Sequence, residues 1–117
     1  STFAHAEEDL AYFGTVRGIS KEKMTLGVPF YGYGFSQELT SPPISMDFGQ
    51  IVSTFPGSES ADQWNTADGK ILYYNGIPTI KKKTLLAKER ASGIMIWQLS
   101  GDAAGSKSLL RAINKGH

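Results

Sequence analysis

The stretch Gly93-Ile94-Met95-Ile96-Trp97-Gln98-Leu99-Ser100-Gly101-Asp102 decides how this chain is read. Ile94, Met95 and Ile96 run without polar alternation, the pattern of a strand buried on both faces in a parallel sheet. Gly93 opens the run and Ser100-Gly101-Asp102 closes it, so Trp97 is expected near the C-terminal end of the strand. In barrels and open α/β sheets that end faces the ligand. A Trp there suits a sugar ring, whose apolar face can lie on an indole while its hydroxyls stay hydrogen-bonded. Core packing is the competing reading of Trp97, and the strand alone leaves both standing.

Working outward, residues 24–29 read as a second buried strand, in which Gly27 marks a close backbone approach and Pro29 the point where ladder pairing gives out. Phe30-Tyr31-Gly32-Tyr33-Gly34-Phe35 then alternates aromatic residues with glycine and is expected to be a loop. Such a loop either carries its rings into a cleft or tucks them against the core. Upstream, residues 5–16 have helical periodicity, with Ala6, Leu10 and Phe13 as the apolar stripe. Glu7, Glu8 and Asp9 are expected in the first turn, where the helix dipole favours negative charge, and Gly18 is the stop.

Between the two strands, residues 37–43 read as a loop because Pro42 and Pro43 deny regular structure. Asp47 with Gln50 forms a variant capping box for a short helix that buries Phe48, Ile51, Val52 and Phe55 and ends at Pro56-Gly57. Residues 62–66 and 70–74 are expected to pair as a hairpin around Asp68-Gly69, which makes Asp62 and Asp68 turn residues rather than acids. After a turn at Asn75-Gly76, Thr79 is expected to cap a helix reaching Arg90, with Lys81-Lys82-Lys83 as a solvated face. Ser106 is expected to cap a last helix with Leu109, Leu110 and Ile113 inward. The order is helix, strand, small insertion, helix, strand, helix, which argues for parallel β/α units.

The chain has 117 residues, 40% hydrophobic and 20% charged, with a net charge of +1. That balance is globular and gives no electrostatic case for a nucleic acid or a membrane surface. Without cysteine there is no disulfide, thiol nucleophile or cysteine metal site. No run approaches the ~18 apolar residues of a membrane span, and no signal peptide is visible. The opening Ser1-Thr2-Phe3-Ala4 reads as the middle of a longer protein. Phosphate loops, nucleophile elbows and H-E-x-x-H are absent, and His5 and His117 lie at opposite ends without metal-ligand spacing. The residues thus supply a ligand-facing aromatic cluster with no catalytic residue, no metal site and no cofactor site.

Two stretches carry a family resemblance. Leu26-Gly27-Val28-Pro29-Phe30-Tyr31-Gly32 resembles the seventh barrel strand of glycoside hydrolase family 18, the chitinases and their relatives, and residues 93–102 resemble the eighth. Ile71-Leu72-Tyr73-Tyr74-Asn75 and Thr79-Ile80-Lys81-Lys82-Lys83 resemble the strand and helix start that precede that last strand. The resemblance implies an α/β fold: the C-terminal quarter to third of a (β/α)8 barrel, with two parallel strands, flanking helices and a short α+β insertion over residues 36–76. A whole barrel needs about 250 residues, so residues 1–117 would be one part of the catalytic barrel.

Residue by residue, the resemblance makes Trp97 the hydrophobic floor under the sugar and Tyr31 a neighbour of the same subsites. Tyr33 stands where many members have Arg, and Gln98 where many have Glu. Gln98 can still hydrogen-bond but cannot act as a base. The family's acidic pattern D-x-x-D-x-D-x-E occurs nowhere in the sequence. In the family that Glu protonates the leaving oxygen and the substrate's 2-acetamido group is the nucleophile. The implied function is the sugar-binding part of a hydrolase of β-1,4-linked N-acetylglucosamine polymers, with the isolated chain inactive and a secreted or periplasmic parent. A non-catalytic chitinase-like lectin and an endo-acting N-acetylglucosaminidase are the alternatives within the family. A self-standing interaction domain is the alternative outside it, and its uncovered strands would lead to self-association.

Overall fold

The computed structural model describes residues 2–36 and 43–116. Helix α1 (Phe3–Ala11) is capped by Thr2, whose hydroxyl accepts the His5 N–H at 3.1 Å. The helix therefore begins before position 5, and Glu7, Glu8 and Asp9 stand beyond its first turn. A π turn (Tyr12–Val16) continues it to Gly18, which ends it at φ +70°. The wider turn carries Phe13 off the buried stripe of Ala6 and Leu10, and Phe13 is exposed.

Extended chain follows. β1 (Thr25–Pro29) and β2 (Tyr31–Ser36) are separated by Phe30 alone, so the expected aromatic loop is a strand. Its glycines do not break the strand because the inner face needs them: a Cβ on Gly34 would lie 2.8 Å from both Ile44 and Leu72. Apart from Pro43, the loop expected at 37–43 lies outside the described residues. β3 (Ile44–Asp47), a strand that Pro42 and Pro43 obscured in sequence, runs directly into α2 (Phe48–Thr54). Its capping box is present, with the Asp47 N–H donating to Gln50 Oε1 at 3.1 Å. The hairpin is also present as β4 (Gln63–Asn65) and β5 (Lys70–Tyr73), turned at Gly69 with φ +83°.

α3 (Ile77–Arg90), β6 (Gly93–Trp97) and α4 (Leu109–Gly116) complete the chain. Four expectations are corrected here. α3 starts at Ile77 with Gly76 as N-cap and Pro78 in the first turn, so Thr79 is inside the helix. Lys81 and Lys82 are solvated but Lys83 is fully buried, because α3 turns that position toward Asn75, whose Oδ1 accepts from Nζ. Ser106 lies in a short 3-10 turn, and the α4 cap is made instead by Ser108 and Asp102. The Asp102 carboxylate accepts the N–H groups of Leu109 at 2.7 Å and Leu110 at 3.1 Å, where a helix favours negative charge. Leu109 and Ala112 face inward, and Leu110 is exposed because it lies one position round the helix from the buried Leu109.

Two sheets result. β1 and β6 pair in parallel, with Gly27 opposite Met95 and Pro29 opposite Trp97. The second sheet is antiparallel, in the order β3-β2-β5-β4. Its inner face packs Leu72 on Phe48 and Ile51 of α2, in one core with Val28, Phe30, Ile80 and Leu109. Full burial of side chains of this size contributes about 1.5–3 kcal/mol each. A second cluster joins Ala6 and Leu10 of α1 to Leu26 and to Leu86 and Ala87 of α3.

β6 is not buried on both faces. Ile94 and Ile96 pack on the cores, whereas Met95 is 39% and Trp97 51% exposed. Among the described residues the helices cover one face of the parallel pair and leave the other open.

Candidate functional site

Between Thr25 and Phe35 burial alternates without a break. Leu26, Val28, Phe30, Gly32 and Gly34 are buried, while Thr25, Gly27, Pro29, Tyr31, Tyr33 and Phe35 are partly or fully exposed. The change of sheet at Phe30 keeps this phase for a stated reason. The Phe30 N–H donates to the Trp97 carbonyl at 3.1 Å, which extends the parallel ladder, and its carbonyl accepts the Phe48 N–H at 2.9 Å, which begins the second sheet's surroundings. Its ring is fully buried. Both backbone groups and the ring of Phe30 are fixed there, and the alternation of burial continues in phase from β1 into β2.

Trp97 stands on the open face of the parallel pair. Its six-membered ring lies over Gly27, where a Cβ would come within 2.3 Å of Cζ3. Gly27 is the close approach expected from sequence, and the group approaching is the indole itself. Half of Trp97 is open to solvent at the C-terminal end of the parallel pair. Tyr31 and Tyr33 follow in the same phase, with ring centroids 5.4 Å apart and planes at 85°. Burial, and then the neighbouring Tyr33, push the Tyr31 phenol above its ordinary range, so it stays a neutral donor through the physiological pH range.

Gln98 leaves the strand in the left-handed conformation, φ +59°, the one non-glycine with positive φ among the described residues. Its carbonyl accepts the Gly101 N–H at 2.8 Å and so turns the chain immediately after Trp97. The turn is seated against the insertion side: a Cβ on Gly101 would lie 2.7 Å from the Phe30 carbonyl, and one on Gly49 2.7 Å from that of Asp102.

Of the four residues singled out in sequence, Trp97, Tyr31 and Tyr33 stand at exposed or half-exposed positions of this alternation, and Gln98 begins the turn that follows Trp97. The sequence reading missed two more half-exposed rings. Phe35 continues β2, and Tyr73 stands opposite Tyr33 on β5, its ring centroid 6.3 Å from that of Phe35. The alternation of Phe30 to Phe35 was the signal that could have found them, had it been read as period two rather than as loop.

A cleft of about 540 Å³ is lined by Trp97 and Gly27, by Asp9 and Leu10 of α1 and by Phe13 of the π turn. Among the described residues no cluster of His, Cys, Asp and Glu could hold a metal ion. No described helix is long and apolar enough to cross a membrane.

These features define a class: part of a β/α barrel, with parallel strands whose C-terminal ends carry an open aromatic face. No family model and no curated protein matches the chain. Solved structures do. The GH18 chitinase ChiB from the chitin utilization locus of Flavobacterium johnsoniae is 41% identical over 99% of this chain and 35% of its own, with a TM-score of 0.78. A chitinase from Bacteroides thetaiotaomicron is 28% identical over 99% of this chain and 38% of its own, with a TM-score of 0.82. The chitinase-like agglutinin of Robinia pseudoacacia, 19% identical over 95% of this chain and 37% of its own, shares the fold at a TM-score of 0.67. The chain belongs to glycoside hydrolase family 18 and spans a little over a third of the length of these relatives.

Proposed function

We propose that this chain is the sugar-binding wall of a family 18 hydrolase acting on β-1,4-linked N-acetylglucosamine polymers. The single observation that carries the proposal is the half-exposed indole of Trp97, laid over Gly27 at the C-terminal strand ends and in phase with Tyr31 and Tyr33. An exposed ring held flat by a glycine presents area to the apolar face of a pyranose while leaving the sugar's hydroxyls free to hydrogen-bond. Tyr31, Tyr33 and the Gln98 amide supply donors and acceptors beside it. The antiparallel sheet with α2 is then the insertion between the last two barrel strands, expected over residues 36–76 but taking in β2 from Tyr31 as well, and it would form one side of the cleft.

The chain would hold the sugar, and the rest of the barrel would supply the proton donor. In the substrate-assisted scheme the acetamido oxygen attacks the anomeric carbon while an acid protonates the leaving oxygen. No D-x-x-D-x-D-x-E is present here, so the isolated chain is expected not to hydrolyse chitooligosaccharides. A lectin relative would use the same wall for binding alone, and the D-x-x-D-x-D-x-E pattern that would separate the two readings does not occur in residues 1–117.

Trp97→Ala in the complete protein tests the reading. Binding of a GlcNAc oligomer should weaken about tenfold, ~1.4 kcal/mol, and turnover should fall with it, while the melting temperature stays near that of the parent. A variant that loses stability but keeps affinity would make Trp97 a packing residue. Hydrolysis of chitooligosaccharide by the unmodified complete protein separates the enzyme from the lectin.

A further inference from the structure

The turn at Asn75-Gly76 joins the hairpin to α3, and sugar binding makes no use of it. We propose that Asn75 is a deamidation site that the native fold holds shut and that reacts only when the hairpin parts from α3.

The chemistry needs only the chain and water. The Gly76 nitrogen attacks the Asn75 side-chain carbonyl carbon, and the new N–Cγ bond closes a succinimide ring. The side-chain nitrogen leaves as ammonia, taking the proton that the Gly76 nitrogen gives up. Water then adds to one of the two ring carbonyls, and the C–N bond there breaks. Addition at Cγ leaves an aspartate in the ordinary backbone. Addition at the main-chain carbonyl leaves an isoaspartate, whose backbone runs through Cγ and is longer by a methylene. Glycine after asparagine favours closure, because no Cβ obstructs the nitrogen and the backbone reaches conformations that other residues avoid. Asn65 precedes Thr66 and Asn114 precedes Lys115, so Asn75 alone in the sequence has this neighbour.

The structure restrains both reacting groups. Asn75 is 5% exposed, and its Oδ1 accepts from the buried Lys83 ammonium, which fixes the carboxamide. The Gly76 N–H donates to Asp62 Oδ1 at 2.9 Å, and the other oxygen of that carboxylate accepts the Thr79 hydroxyl. The Asp62 carbonyl in turn accepts the Tyr74 N–H at 3.0 Å, so the chain is tied to Asp62 on both sides of Asn75. A Cβ on Gly76 would lie 2.2 Å from the Ala61 carbonyl oxygen, which leaves this backbone no room to swing. Its carbonyl accepts the Ile80 N–H at 3.0 Å and opens the α3 ladder. Ring closure turns the Asn75–Gly76 peptide, so the Asp62 contact must break first, a local opening of the hairpin from α3. Reclosing is fast beside this chemistry, and the rate then follows the population of the open form.

An isoaspartate adds its methylene where the backbone is packed against residues 59–61, so the hairpin and α3 cannot return to their native contacts. Time spent open is thereby converted into protein that no longer refolds.

The test is peptide mapping by mass spectrometry of the complete protein, held for equal times in mildly alkaline buffer with and without urea. Trypsin releases residues 71–81, in which Asn75 is the sole side-chain amide. Deamidation exchanges its NH2 for OH, and an isoaspartate methyltransferase reports the lengthened product. The folded protein is expected to react at least about a hundredfold more slowly than the unfolded chain, and refolding yield should fall in step with isoaspartate. Asp62→Ala frees the Gly76 N–H and should raise the folded-state rate about tenfold. Leu10→Ala truncates the other core cluster and lowers stability without touching the turn, so its rate should match the parent's wherever both remain folded. Asn75→Ser cannot form the ring and should keep its refolding yield after the same time in urea. Asn75→Gln, which closes a larger ring more slowly, carries the same expectation should the serine variant fail to fold. Equal rates in folded and unfolded protein would show that the turn is not shut and overturn the proposal. Equal acceleration by Asp62→Ala and Leu10→Ala would assign the reaction to global unfolding, with the same consequence. A refolding yield that falls as fast without Asn75 as with it would overturn the irreversible step.

Discussion

The parallel pair and the antiparallel sheet share one strand path yet solve opposite problems. The antiparallel sheet covers its inner face with α2 and ends in short edge strands, β4 of three residues and β3 of four, which leave little ladder exposed. An antiparallel sheet can leave its outer face in solvent. Among the described residues the parallel pair has an unpaired edge on each side and an open face that parallel sheets ordinarily cover. The contrast shows that an open aromatic face is tolerated where the sheet is complete and is a demand for further structure where it is not. Trp97 stands on the incomplete side, Tyr33 and Phe35 on the complete side, and Phe30 holds the two in phase.

The sharpest way to break the contrast is at the junction that ties the hairpin to α3, the helix on which the parallel pair rests. Gly76 begins α3 with its N–H donated to Asp62 Oδ1 at 2.9 Å. A Cβ there would lie 2.2 Å from the Ala61 carbonyl oxygen and 2.9 Å from that of Glu59. Both are backbone atoms, so the strain cannot be relieved by a rotamer change. Gly76→Ala is expected to cost about 3 kcal/mol, read as a lower urea midpoint at unchanged slope. An unchanged midpoint would mean that the two units are not locked through this contact.

The same junction gives the molecule its pH dependence. Burial holds the Lys83 ammonium down to about 8, with the Asp62 carboxylate opposing part of the shift. Between about 8 and its ordinary 10.5 the unfolded chain keeps a proton that the folded protein has released, so stability rises with pH in that window. Burial pushes the Tyr74 phenol the other way, from 10.0 up to about 12. Between those values the folded protein keeps a proton that the unfolded chain loses, and stability falls. Urea midpoints measured from pH 7 to 11 should therefore rise and then turn over near 10. Lys83→Met should flatten the rise, and Tyr74→Phe should reduce the fall to what Tyr31 contributes. A profile that declines steadily from pH 8 would show Lys83 to be solvated.

The two units also differed in how much of them could be read from sequence. The strand of Trp97, the capping box of Asp47 and Gln50 and the hairpin around Asp68-Gly69 carry local signals and appear where expected. What failed depends on distant partners. Glycine at every second position of residues 30–35 resembled a loop, because the side chains that fill the space, Ile44 and Leu72, come from other strands. Lys83 resembled its two neighbours, because only the packing of α3 against Asn75 separates it from them. For the site, Trp97 and Tyr31 were visible as residue types in strand motifs. Phe35 and Tyr73 were not, since it is the pairing of β2 with β5 that places them together.

The smallest effect lies where the open face of the parallel pair turns away, at Gln98. A left-handed residue other than glycine costs about 1–2 kcal/mol, and glycine in its place would relieve that strain while adding up to about 1 kcal/mol of unfolded-state entropy. Gln98→Gly is therefore expected to leave stability unchanged or raise it by no more than about 1 kcal/mol. If the conformation exists only to make the turn, nothing else should change. If it exists to aim the amide at a sugar bound on Trp97, the same variant should lose about fivefold in oligosaccharide affinity, the worth of one neutral hydrogen bond, about 1 kcal/mol. Gln98→Asn distinguishes the two further, because Asn tolerates the left-handed region and keeps an amide one methylene shorter. Affinity that falls in Gly and partly returns in Asn would tie the strained residue to ligand binding, and equal affinity in all three would confine it to the turn.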